Sequence, residues 1–144
     1  PQELGVPGGG SIFLIDPAAL SRHERNRLRW RQEAAWTLLW AVGKVESLGP
    51  PTRQCDTRRL VDEIIPALGS DVEPFLASAE ARPPRALLVE DDRHYNPWCR
   101  YFQTRRVDPR SLPDDLAFDV LRERRYAFEW LQGVQAWDDV KCDA

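Results

Sequence analysis

Carboxylates gather in two places along this chain: Glu90, Asp91 and Asp92 within "VEDDRHY", and Asp138, Asp139 and Asp143 within the closing "WDDVKCDA". Grouped oxygen donors are what a divalent cation takes as ligands. Asp91, Asp92, Asp138 and Asp139 are therefore the candidate metal ligands, and the same carboxylates would serve a hydrolytic enzyme. The spacing is not that of an EF-hand loop. The competing assignment is structural: Trp137 fills an apolar hole, and Asp138 and Asp139 cap helix ends or pair with arginines such as Arg124. We adopt the structural assignment, with no cofactor expected.

Glu33 and Arg124 each interrupt an otherwise apolar helical stretch, and a charge facing a core is tolerated only when paired and hydrogen-bonded. Either they pair with each other, or both reach solvent along their stems. A buried pair of this kind would specify the fold rather than mark catalysis. His94 and Cys99 are the types of a base and a thiol nucleophile, but five residues on a regular helix sets them roughly 140° apart. No oxyanion-stabilising group or orienting third residue accompanies them. The cysteines Cys55, Cys99 and Cys142 form no C-x-x-C pair, so zinc spacing is absent, and "PGGGS" lacks the lysine of a phosphate loop.

Basic residues concentrate in "RHERNRLRWR" at 22–31. Charge runs on helices are commonly solvated faces, but arginine and tryptophan are also the residues most enriched at interface hot spots. Arg22, Arg25, Arg29 and Trp30 are the candidate partner-binding residues. The formal net charge of −3 argues against a dedicated nucleic-acid binder, and the expected partner is a protein.

The elements that must position these residues follow from periodicity and end signals. With 144 residues, 42% hydrophobic and 30% charged, the chain is expected to form one globular domain. No run approaches the ~18 apolar residues of a membrane span, and three scattered cysteines with no secretory signal suggest the cytoplasm. "PQELGVPGGG" reads as a flexible leader, giving a division into 1–11 and a single helical domain over 12–144. "SIFLID" is an apolar segment laid against helices, and Asp16 before Pro17 signals a helix start. Ser21 and Glu24 form a capping box opening a long helix, about 22–43, whose residues 34–42 are apolar all round and hence expected to be buried on all sides.

Asp56 caps a shorter helix ended by Pro66. Ser70 and Glu73 have capping-box spacing for a helix through about Ala81. Pro83 and Pro84 start the next, with a kink or break expected at Pro97. The last runs from near Pro113, Asp114 and Asp115 to Gly133, with Leu116, Val120, Tyr126, Ala127, Trp130 and Leu131 on its apolar side. The fold predicted is all-α, a compact bundle of five to six helices around the central helix, with the C-terminal tail docked by Trp137.

Three stretches together, "WRQEAAWTLLWAVG" at 30–43, "RERRYAFEWL" at 122–131 and the "WDDVKCDA" tail, resemble a bacterial family, the domain of unknown function 4272, over about residues 28–144. Departures from its pattern fall at Tyr95 and Pro97 before Trp98, at Glu129 and at Ala144. The resemblance implies kinship of fold and carries no activity with it. The function expected is a non-catalytic protein-interaction module, immunity- or antitoxin-like with a toxin as one form of partner; the alternative is the carboxylate-based metal or hydrolytic site.

Overall fold

Ser21 and Glu24 open the first helix as their spacing predicts: Ser21 Oγ accepts from Glu24 N at 3.2 Å, and Glu24 Oε2 accepts from Ser21 N at 2.8 Å. In the computed structural model, residues 17–111 and 117–142 are described. The leader, "SIFLID" with its Asp16 cap, the Pro113–Asp115 start signal, Leu116, Asp143 and Ala144 lie outside them. Pro17–Ala19 forms a 3-10 turn, and helix α1 follows over Arg22–Ala41.

Gly43 stops α1 by taking φ +77, a conformation that glycine adopts without a steric penalty. A Cβ there would lie 2.9 Å from the carbonyl oxygen of Glu80. That close approach has a purpose. The segment at 80–82 satisfies the carbonyls at the end of α1: Glu80 N donates to Val42 O, Arg82 N to Ala41 O, and Arg82 Nε to Trp40 O.

Two local expectations fail around α3, one through distant backbone partners and one through competing local ones. Helix α3 spans only Glu73–Ala77, not through Ala81, because residues 80–82 have left it to cap α1. The Ser70–Glu73 box is not made; Ser70 Oγ donates to Ala67 O, and Asp71 Oδ1 accepts from Glu73 N. By contrast Asp56 does cap α2 (Thr57–Arg59), which widens at once into a π-helical turn over Leu60–Ile64.

Helix α4 runs unbroken over Pro84–Val107. Pro97 removes one backbone donor and was expected to interrupt it, but His94 and Trp98 on either side are buried in the bundle, and their packing holds the helix through the defect. Helix α5, Phe118–Gln132, ends at Gly133. Paired residues show how these three helices lie. Along α1 and α5 they advance together (Glu33 with Arg124, Trp40 with Phe128), so the helices run in the same direction. Along α4 and α5 they run oppositely, Asp91 with Gln132 and Trp98 with Phe118.

The main core is Trp36, Trp40, Ala41, Val45, Leu48, Cys55, Leu60 and Phe128. A second aromatic cluster joins α4 to the start of α5, where Phe118 stacks on Trp98 and Tyr101 at 5.3 and 4.4 Å. Residues 34–42 are not buried on every side. Ala35 and Leu38 stay partly open, because α5 and the 45–60 segment cover only the stripe carrying Glu33, Trp36 and Trp40. The architecture is all-α, with no strand among the described residues, and no described helix is long and apolar enough to cross a membrane.

Candidate functional site

Helix α5 lies between α1 and α4, so it must bury two sides at once. Its run Glu123, Arg124, Arg125 is buried at three consecutive positions, each charge meeting a different partner. Arg124 is 1% exposed; its Nε donates to Glu33 Oε2 at 3.0 Å, and its Nη1 donates to Gly49 O at 2.8 Å. Glu33, fully buried, uses its other oxygen to accept from Cys55 N at 2.5 Å. This ion pair therefore ties the loop between α1 and α2 at its middle, at Gly49, and near its far end, at Cys55, and leaves neither charge alone in the interior.

His94 completes the network from α4. Its Nδ1 lies 2.8 Å from Glu90 O, so this nitrogen carries the proton and donates, and Nε2 faces Arg124 Nη1 at 3.4 Å as an acceptor. Burial lowers its pKa below the usual 6.5; the Arg124 charge adds to that, and the hydrogen bond to Glu90 with the carboxylates of Glu90 and Asp91 opposes it. The unfolded chain therefore takes up the His94 proton before the folded one does. Stability present above pH about 6.5 should be lost as the pH falls through the depressed folded value. Urea midpoints measured from pH 7.5 to 5 should decline, and His94→Gln should flatten that decline; a slope unchanged by the substitution would assign it to other groups.

Arg125 is paired with Asp91 on α4 and Glu129 on its own helix, and Gln132 Nε2 also donates to Asp91, at 2.7 Å. Glu123 meets Arg31 of α1 at 3.4 Å. Asp91 is thus held by an arginine and an amide, while Asp92, Asp138 and Asp139 are exposed, the last two in the 3-10 turn Trp137–Asp139. No group of three or more metal-ligating side chains exists among the described residues. Asp138 and Asp139 do not pair with Arg124, which Glu33 already holds.

The thiols are also placed away from chemistry. Burial pushes Cys55 up to about 12 and Cys142 up to about 11, so both are protonated at neutral pH. Both ring nitrogens of His94 are engaged elsewhere, so His94 does not serve Cys99 as a base.

Trp137 rests half-buried on α5 rather than in a deep hole. Its ring meets Tyr126 and Trp130 edge-on at 4.8 and 5.5 Å, the Arg31 guanidinium stacks 4.2 Å over Tyr126, and the Tyr126 hydroxyl donates to Trp137 O. Trp137→Ala should cost about 1–2 kcal/mol, read as a shifted urea midpoint. No shift would mean that the tail is not fastened.

The remaining candidates form a surface. Every residue from Ser21 to Arg29 is exposed, and on one side His23, Asn26 and Arg27 face α5 across an open cavity. Arg22, Arg25 and Arg29 lie on the stripe that continues as Glu33, Trp36 and Trp40: where the helix has neighbours the stripe is core, and where it outruns them it is arginine. Arg22 and Arg29 have no side-chain partner among the described residues, and Arg25 Nη1 donates only to Leu20 O. Trp30 is half-buried and, with Arg27 and Arg122, lines a cavity of about 610 Å³ between α1 and α5.

Fold and surface together define a class: an all-α domain with ion pairs buried between its long helices and an exposed basic stretch at the start of α1. The chain belongs to the family described as domain of unknown function (DUF4272), whose model matches residues 12–140. No curated protein and no solved structure matches it.

Proposed function

We propose that this protein is a non-catalytic interaction module which docks an acidic surface of a partner protein on the free end of α1, through Arg22, Arg25, Arg29 and Trp30. One observation carries this reading. A helix N-terminus bears partial positive charge, so cations in its first turns are unfavourable by roughly 0.3–1 kcal/mol each. Arg22 and Arg25 sit there, with Arg29 one turn on, exposed and without a compensating carboxylate among the described residues other than Glu24, which is engaged by Ser21. A local rule broken with no structural return is expected where a partner supplies the return.

The form we favour is immunity- or antitoxin-like, acting in a bacterial cytoplasm, where a toxin is held rather than turned over. Three unpaired cysteines accord with a reducing compartment. The test compares the wild type with the triple variant Arg22→Glu, Arg25→Glu, Arg29→Glu, each immobilised and exposed to native host extract. A retained protein should be lost with the triple variant and weakened by salt, while the helical signal is kept and the melting midpoint holds or rises, since glutamates suit a helix N-terminus better than arginines. Equal retention by both, or retention of nothing, would remove this surface from consideration.

A further inference from the structure

One guanidinium nitrogen carries two contacts that acid sets against each other. Arg124 Nη1 donates to Gly49 O at 2.8 Å and also lies 3.4 Å from His94 Nε2, which meets it with a lone pair. A proton on Nε2 would leave two donors, and two like charges, facing one another. The imidazole has no room to turn away, because Nδ1 is held on Glu90 O at 2.8 Å and the Phe128 ring packs 5.4 Å from it. Arg124 is fixed at its other end, where Nε donates to Glu33 at 3.0 Å. The contact left to yield is the one between Nη1 and Gly49.

Gly49 opens a stretch that little else holds. From Gly49 to Gln54 every residue is exposed except half-buried Pro51, and among the described residues no backbone hydrogen bond ties 49–55 to another helix. Leu48 before it and Leu60 after it are buried in the core. Between those anchors the strap depends on Gly49 O held by Arg124 and Cys55 N held by Glu33 Oε1, with a long contact of 4.0 Å from Cys55 Sγ to Gln32 O. Both short ties end on one ion pair. Exposed segments with few apolar contacts are the ones that open locally, and Gly49, at φ +69 with nothing within 4 Å of where a Cβ would lie, gives the chain a place to pivot.

The other charges around His94 do not relieve the clash. Glu90 Oε1 lies 4.0 Å from Nδ1 and the charge of Asp91 acts in the same sense, both attracting a proton, but Glu90 is paired with Arg93, and Asp91 with Arg125 and Gln132. Glu46 and Arg82 border the same cavity as His94, and Arg82 is spent on the carbonyls of Trp40, Val45 and Glu46. From α1, Glu33 acts through Arg124.

We propose that Gly49–Gln54 is an acid-released strap: protonation of His94 drives Arg124 Nη1 off Gly49 O, and the strap lifts from the Glu33–Arg124–His94 network while the helices stay packed. The acid loss of stability described above concerns complete unfolding, whereas this opening occurs inside the folded domain. The closed strap disfavours the proton and the open one, with His94 hydrated, accepts it. Release is therefore negligible above pH about 6.5 and grows as the pH falls below that value. It is independent of the arginine surface on α1.

Native-state hydrogen exchange on the full chain tests the strap. Cys55 N–H reports its opening, and Phe128 N–H, at the centre of α5, reports global unfolding. Corrected for intrinsic rates, the protection of Cys55 should fall roughly twentyfold between pH 7 and 5, as expected for one proton taken up on opening. It should also be insensitive to low urea and lie below that of Phe128 at each pH. In His94→Gln the fall at Cys55 should vanish. If that variant does not fold, the wild type decides: His23 and His94 are the chain's two histidines, so the His94 ring is readily followed by NMR, and Cys55 protection should be lost as that ring takes up its proton. Three results would each overturn the proposal: Cys55 and Phe128 exchanging with one free energy and one urea slope, a fall at Cys55 that persists in folded His94→Gln, or Cys55 protection that holds down to pH 5.

Discussion

Arg124→Met is expected to destabilise the domain by about 3–5 kcal/mol, because it strands Glu33 as an unpaired charge in the interior. The loss extends past the ion pair. Gly49 O loses its donor, His94 Nε2 loses its nearest partner, and the loop that Arg124 and Glu33 fasten at Gly49 and Cys55 is held only by its apolar contacts. Adding Glu33→Gln should recover part of the deficit, since the amide oxygen can still accept from Cys55 N while the buried charge is gone. Urea unfolding at pH 7.5 reads both effects as shifts in midpoint at constant slope. If Arg124→Met cost under about 1 kcal/mol, the pair would have to be far better hydrated than its burial implies.

The second large effect is expected at Phe128. This ring is fully buried where all three long helices meet: it lies 6.0 Å edge-on from Trp40 of α1 and 5.4 Å from His94 of α4. Phe128→Ala should cost about 3–5 kcal/mol, from lost burial together with a cavity that two stiff aromatic neighbours cannot close. Trp130, two residues on and 36% exposed, provides the contrast. Its truncation removes mainly the edge-on contact with Trp137 and should cost about 1 kcal/mol. Equal losses at the two positions would mean that the core is not centred on Phe128. Tryptophan emission and melting midpoints distinguish the outcomes.

These two positions also bear on function. The interior charges of α5 hold α1 from one side, with Arg31 and Glu33 both engaged, while the side of its first two turns that carries Arg22, Arg25 and Arg29 stays exposed. A free basic helix end is useful to a partner only if it is rigid. Destabilising Arg124 or Phe128 should thus weaken any partner binding indirectly, with a lowered melting midpoint, whereas charge reversal at Arg22, Arg25 and Arg29 should act without one.

The sequence by itself determined the helical class and most helix ends. Ser21 with Glu24, Asp56, the Pro83–Pro84 start and Gly133 act through partners within about four residues, and those partners are present wherever the chain goes; Gly43 supplies the local turn that ends α1, but the segment at 80–82 that caps it comes from far along the chain. It also marked Glu33 and Arg124 as charges in apolar stretches, and Arg22, Arg25, Arg29 and Trp30 as a basic cluster. Only the tertiary structure decided which charges meet. Glu33 and Arg124 are 91 residues apart in sequence, and Arg125 and Asp91 are 34 apart. Burial of three consecutive charges at 123–125 has no helical period to betray it, since it arises from a helix packed on two sides. The same holds for Pro97, carried inside an unbroken helix, and for the early end of α3, set by residues 80–82 turning away to cap α1. Local signals fix where helices begin and end; which faces turn inward, and therefore which end of α1 is left standing free, follows from packing between segments distant in the chain.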